Sequence, residues 1–342
     1  MKRFFKYIAL IFVVVSLYSS NVFALNRDLL MDSFLSVVMI RGYNEAGGLA
    51  YGSGVVVGDN QVVTNCHVIR KTKQPWVSQG EETYSVTAVK ADRWHDLCLM
   101  TTFGMPHKPV ILGKSTDLKK GQEVIAIGHS NGVPAPLTSA GVVKSTYDLD
   151  QGKVILSSAQ FRMGASGSGL FDTEGRLIGI NTFKTSGRNS FYYALPVEWL
   201  NSLKNKPAET NFPISGRALW EEEEDKKPIF LQVAIPTIKE DWKKLLDVAN
   251  EWTSKEKNNA EAWFELGFAY EHLNNLIEAE KAYRQSIKLD SQNTDALLRL
   301  GFIAKTKDDK KEIKNIQEQI SLINPELLED YNQLVGCSKT CE

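Results

Sequence analysis

Two periodicities divide the chain. Across residues 33–195, short β-branched runs alternate with turn residues, at 36–40, 54–57, 61–64, 84–89, 97–101, 123–127, 140–146, 153–157, 176–180 and 191–194. This spacing predicts an all-β barrel or sandwich. Gly58-Asp59-Asn60 predicts a tight turn between two valine-rich strands, and Asp172-Thr173-Glu174-Gly175 predicts another. Beyond Pro236 the apolar period becomes helical, with Trp242, Leu245, Leu246, Ala249 and Trp252 on one face. Between the halves, residues 205–236 read as a linker, and the acidic run at 221–225 reads as a solvated spacer.

Targeting signals and composition narrow the class. Lys2, Arg3 and Lys6 precede an apolar run over 7–18, and Val22-Phe23-Ala24 places small residues where a signal peptidase cuts. Residues 1–24 therefore read as a signal peptide, giving a periplasmic or secreted chain. The run is shorter than the ~20 residues of a spanning helix, so no stable membrane span is expected after cleavage. With 342 residues, 43% of them hydrophobic and 24% charged, two domains are expected. A net charge of -1 gives no basic footprint for nucleic acid. Four cysteines in an exported chain can pair in three ways.

The candidate chemistry centres on Met163-Gly164-Ala165-Ser166-Gly167-Ser168-Gly169-Leu170. Glycines permit a sharp bend that exposes Ser166, and the N–H groups of Gly164 and Ser166 are then free to face one oxyanion. The composition alone suits a Gly/Ser turn equally well. Upstream, His67 ends an apolar strand and Asp96 opens another. Taken singly, the first fits a structural histidine and the second a solvated cap. A serine nucleophile needs a base, however, and the base needs an orienting carboxylate.

The order histidine, aspartate, serine resembles that of the trypsin-like (chymotrypsin-fold) serine peptidases. Thr64-Asn65-Cys66-His67-Val68, Asp96-Leu97-Cys98-Leu99 and Gly164-Ala165-Ser166-Gly167 stand where that family places its catalytic motifs. Ser53-Gly54-Val55, Ile125-Ala126-Ile127-Gly128, Ser139-Ala140-Gly141-Val142-Val143 and the stretch from Glu174 to Thr182 are similar to the HtrA/Deg-type branch. Gly167-Ser168 departs from the two glycines usual there and is similar to the glutamyl-endopeptidase relatives. No PDZ-like stretch follows. The resemblance implies a double β-barrel over 25–204 and peptide-bond hydrolysis by His67, Asp96 and Ser166, without metal or organic cofactor. The oxyanion would rest on the Gly164 and Ser166 amides, and an extended substrate would pair with Thr182, Phe183 and Lys184. Residues 159–162 would shape the primary pocket. A hydrogen bond between His67 and Asp96 would bring Cys66 and Cys98 near enough for a disulfide, with two buried thiols as the alternative. A metal site from Cys66, His67, His95 and Cys98 is disfavoured, because adjacent strand residues face opposite ways.

In the second half, Trp263, Leu266, Gly267, Tyr270, Ala279 and Tyr283 stand at the spacings of a tetratricopeptide repeat. Leu297, Leu300, Gly301, Ala304, Ile313, Ile320 and Pro325 repeat the register more loosely. An all-α repeat domain is expected over 237–335, packed on the barrels or on another copy and recruiting a protein partner or substrate. Cys337 and Cys341 in the tail, 336–342, are candidates for a terminal disulfide. The rival reading is a non-catalytic envelope scaffold or chaperone-like protein that works through its repeats.

Overall fold

The computed structural model describes residues 27–185 and 190–337; the expected signal peptide and Cys341 lie outside them. Two six-stranded antiparallel barrels are followed by helices. The first barrel comprises β1 (Val37–Tyr43), β2 (Leu49–Gly58), β3 (Gln61–Asn65), β4 (Trp76–Gln79), β5 (Glu82–Asp92) and β6 (Leu97–Thr102). Its order is β5-β4-β1-β2-β3-β6, and β6 pairs back to β5. The second comprises β7 (Glu123–Gly128), β8 (Leu137–Leu149), β9 (Gly152–Ser157), β10 (Ser168–Asp172), β11 (Leu177–Lys184) and β12 (Tyr192–Pro196), closed in the order β10-β11-β12-β9-β8-β7.

Strands buried on both faces explain the unbroken apolar runs. In the first barrel Val38, Val56, Val62, Cys98 and Met100 fill the interior. Their neighbours Val37, Val55, Val63, Leu97 and Leu99 turn instead to the core shared with Ile127 and Phe171 of the second barrel. The double barrel implied by the family resemblance is thus present, with two strands the pattern lacks. β4 offers only one buried valine, Val77, and β10 opens with Ser168-Gly169, which carry little strand propensity. Both are held by neighbouring strands rather than by their own composition.

Residues 205–236, read from sequence as a linker, are well packed. β13 (Ala208–Glu209) extends the first sheet beside β5, and Ile214, Ala218, Leu219, Phe230, Leu231 and Val233 are buried. Within the acidic run, Glu223, Glu224 and Asp225 are exposed as expected. Glu221 is not a spacer residue: it meets Arg70 in a two-pronged ion pair at 2.6 and 2.7 Å.

The helical half holds α1 (Trp242–Lys255), α2 (Ala260–His272), α3 (Leu276–Leu289), α4 (Thr294–Thr306), α5 (Lys310–Ile323) and α6 (Leu328–Val335). Side chains of Asp241, Asn259, Asn275, Asn293 and Asp309 cap α1 to α5 by accepting first-turn amides. Gly267 is demanded by Tyr283, 2.6 Å from where a Cβ would stand. At Gly301 the corresponding ring is Tyr331 of α6, at 2.4 Å. The connector and α1 lie against the second barrel: the Tyr147 ring stacks on Phe230 at 4.5 Å and approaches Trp252 at 6.1 Å. Burial of such rings contributes roughly 1.5–3 kcal/mol each. Lys120, nearly buried, bridges Glu261 at 3.3 Å and Asp295 at 2.9 Å. No helix among the described residues is long and apolar enough to cross a membrane.

Candidate active site

β3 delivers His67. Its buried Val62 and Val63 fix the strand, and one helical turn, Cys66–Ile69, then buries Cys66, Val68 and Ile69 while leaving His67 part-exposed. Asp96 is placed by the facing strand: Asn65 pairs with Leu97, so the residue before β6 lies opposite Cys66, whose amide donates to the Asp96 carbonyl at 3.1 Å, and next to His67. Its φ of 54° is a bend that aspartate tolerates better than most residues. Cys66 and Cys98 are joined by a disulfide with Cα atoms 5.0 Å apart, which ties the two strand ends together.

The Asp96 carboxylate is 2% exposed and fully occupied. Oδ2 lies 2.6 Å from His67 Nδ1, Oδ1 accepts the His67 amide at 2.9 Å, and Oδ2 also accepts the Trp220 indole N–H at 3.2 Å. With Nδ1 as donor, Nε2 of the neutral ring is an acceptor.

Ser166 stands on the loop before β10. Gly164 and Gly167 have φ of 94° and 85°, and neither position admits a side chain. A Cβ on Gly164 would meet the His129 carbonyl at 2.6 Å, and one on Gly167 the Ser53 carbonyl at 2.2 Å. Ser53 anchors the loop across the barrel interface: its hydroxyl donates to the Gly164 carbonyl at 2.8 Å and accepts the His129 amide at 2.9 Å, while its amide donates to the Ser166 carbonyl at 2.8 Å. Neighbouring amides are used, Ala165 on the Arg162 carbonyl and Gly167 on the Asn181 carbonyl. The Gly164 and Ser166 amides have no partner among the described residues. Ser168, which departs from the usual glycine, is buried behind the loop and accepts the Asn181 side-chain amide at 3.0 Å.

The Ser166 hydroxyl donates to the Thr182 carbonyl at 3.2 Å. No hydrogen bond joins it to His67 among the described residues. A relay connects the two halves of the site instead: the Asn65 side chain donates to the Asp96 carbonyl at 3.0 Å and to the Thr182 hydroxyl at 2.9 Å. Phe183, next on β11, lies flat against Tyr193 at 4.8 Å and Trp220 at 5.3 Å, and Lys184 is exposed. Asn65, Ser53 and Trp220 escaped the sequence reading. The first two are ordinary strand residues by pattern, and Trp220 lies in the stretch taken as a linker.

Two stretches of the chain match known families. Residues 52–180 match the model of the trypsin-like peptidase domain. The chain carries a trypsin-like peptidase domain. Residues 260–293 match the tetratricopeptide repeat, the better formed of the two units read from sequence. Serine protease HTRA2, mitochondrial, of Bos taurus is 31% identical over 49% of this chain and 39% of its own length. The anti-sigma-I factor RsgI9 of Acetivibrio thermocellus is 31% identical over 45% of this chain and 22% of its own length. The chain thus spans well under half the length of these curated relatives. In fold, the trypsin-like domain is similar to the Rv3671c protease from M. tuberculosis in its active form, with 20% identity and a TM-score of 0.50 over 57% of this chain and 89% of that one.

Proposed function

We propose that this protein is an exported serine endopeptidase whose helical repeats recruit a protein partner or substrate. One observation carries the reading: a buried Asp96 carboxylate holds His67 Nδ1 at 2.6 Å, beside a serine loop whose Gly164 and Ser166 amides have no partner among the described residues. Ser166 would be the nucleophile, His67 the base and then the acid, and Asp96 the group that fixes the tautomer and balances the imidazolium. In the resting site the hydroxyl is held by Thr182, and rotation about its Cα–Cβ bond passes it to Nε2 when substrate settles along Thr182, Phe183 and Lys184. Such bonds commonly tighten only in the substrate complex. The Gly164 and Ser166 amides would take the developing oxyanion, each donor worth about 100- to 1,000-fold in rate. Export is supported by the signal-like amino terminus and by the Cys66–Cys98 disulfide, which suits an oxidising compartment.

The test is digestion of an unfolded protein, with new amino termini read by mass spectrometry for wild type and Ser166→Ala. Cleavage confined to wild type is expected. Equal cleavage by both, or none by either, overturns the peptidase reading, and the latter outcome returns the chain to a scaffold acting through its repeats.

A further inference from the structure

The stretch that connects the two domains reaches back over the active site. Arg93 Nε donates to the Ser215 carbonyl at 2.6 Å, Arg70 to the Gly216 carbonyl at 2.8 Å, and the Leu219 amide to the Trp94 carbonyl at 2.9 Å. Glu221 grips Arg70 with both oxygens and accepts the Ala218 amide at 3.0 Å. These anchors come from residues flanking His67 and Asp96 in sequence, so the connector is stapled to the segments that carry the base and its carboxylate.

Trp220 is what the staple presents. Its indole N–H donates to Asp96 Oδ2 at 3.2 Å, its ring meets the edge of His67 at 5.4 Å and 84°, and it stacks on the Phe183 ring at 5.3 Å and 21°. The indole therefore shields the Asp96–His67 bond from water and occupies the space between His67 and Phe183. If a substrate strand pairs along Thr182, Phe183 and Lys184 with its scissile carbonyl at Ser166, as proposed above, the side chain one residue upstream of the cleaved residue would enter that same space.

We propose that Trp220 is a positioning residue for Asp96 and His67, and that it forms the wall which limits the substrate residue preceding the cleaved one to a small side chain. This rests on the serine-peptidase reading. Removing the indole donor takes away one of the three hydrogen bonds that fix the Asp96 carboxylate against His67, and removing the ring opens the space.

The experiment uses the full chain as wild type, Trp220→Phe, which keeps a stacked ring without the donor, and Trp220→Ala. Digests of a mixed peptide pool are read for the residue one position upstream of the cleaved one. Wild type is expected to favour glycine and alanine over leucine and phenylalanine by at least about tenfold, the scale on which a methylene-sized difference is discriminated. Trp220→Ala brings that ratio close to one, while Trp220→Phe retains most of it. In parallel, the His67 ring nitrogens are observed by NMR in the Ser166→Ala background, where adding Trp220→Phe is expected to move the Nδ1 signal that reports the bond to Asp96. An unchanged ratio in Trp220→Ala refutes the wall, and an unchanged Nδ1 signal refutes the positioning role. Absence of any wild-type cut would count against the peptidase reading, and the Nδ1 signal would still decide whether Trp220 acts on His67.

Discussion

Asp96→Asn is the substitution whose effect the geometry constrains most tightly. The carboxylate serves three donors, the His67 amide, His67 Nδ1 and Trp220 Nε1. An asparagine offers one acceptor oxygen and an NH₂ that must face a donor or turn the ring. If the amide oxygen keeps the His67 main chain, its NH₂ faces Nδ1, and the imidazole can accept there only as the Nε2–H tautomer. That tautomer has no lone pair for the Ser166 proton. The expected loss is about 10,000-fold in the second-order rate of serine modification, or about 5.5 kcal/mol of transition-state stabilisation. Folding stability should fall by a smaller amount, about 1–3 kcal/mol, if one donor is left unpaired in this buried site. Rates of inactivation by a fluorophosphonate at neutral pH measure the first effect, and urea unfolding measures the second. A variant that reacts within tenfold of wild type would refute the assignment of Asp96 as the tautomer-setting group.

Three further perturbations test separate parts of the structure. Replacing Cys66 and Cys98 together by alanine opens a loop with sequence separation 32. The chain-entropy cost is about 3–4 kcal/mol, seen as a lower urea midpoint; a loss below about 1 kcal/mol would show that the bond constrains little. Gly167→Ala forces a Cβ to within 2.2 Å of the Ser53 carbonyl at a φ of 85°. It should cost at least about 2 kcal/mol and abolish serine labelling, and normal labelling would show the loop to be pliable. His95 lies between Asp92 at 3.0 Å and Asp150 at 2.9 Å. Burial opposes its charge, but the two carboxylates prevail and raise its pKa, while His95 holds Asp92 below its ordinary value against the same burial. The raised histidine contributes fully below its unfolded value and is lost as pH rises through its folded one. Asp92 contributes above its unfolded value and is lost as pH falls. His95→Gln should therefore lower the melting temperature by about 2 °C between roughly pH 4.5 and 6.5, with the gap narrowing as pH rises through the raised histidine midpoint. An equal gap at pH 5.5 and 9 would refute the ionic clamp.

The sequence carried the elements whose burial is periodic. Ten strands were visible because β-branched residues recur at fixed intervals, and β10 was missed because Ser168 and Gly169 are strand residues only through their pairing with β7 and β11. The first helical unit was legible because Tyr283 fills the gap at Gly267 from within the same repeat. The second was looser because the corresponding ring, Tyr331, arrives from α6. His67, Asp96 and Ser166 stood out through local motifs. Trp220 did not, since no periodicity ties a connector to the barrel it crosses, and its role depends on anchors at Arg70, Arg93 and Trp94 that are distant in the chain. The rotamer of Ser166, turned to Thr182, is likewise a property of the folded cleft.

Labelling with a fluorophosphonate, followed by mass-spectrometric mapping of the adduct, asks whether this serine is activated. A single adduct on Ser166 in wild type, absent in Ser166→Ala and at least about 1,000-fold slower in His67→Ala, is the expected result. An adduct at another serine, or equal labelling in His67→Ala, would contradict the assignment of His67 and Ser166 as base and nucleophile.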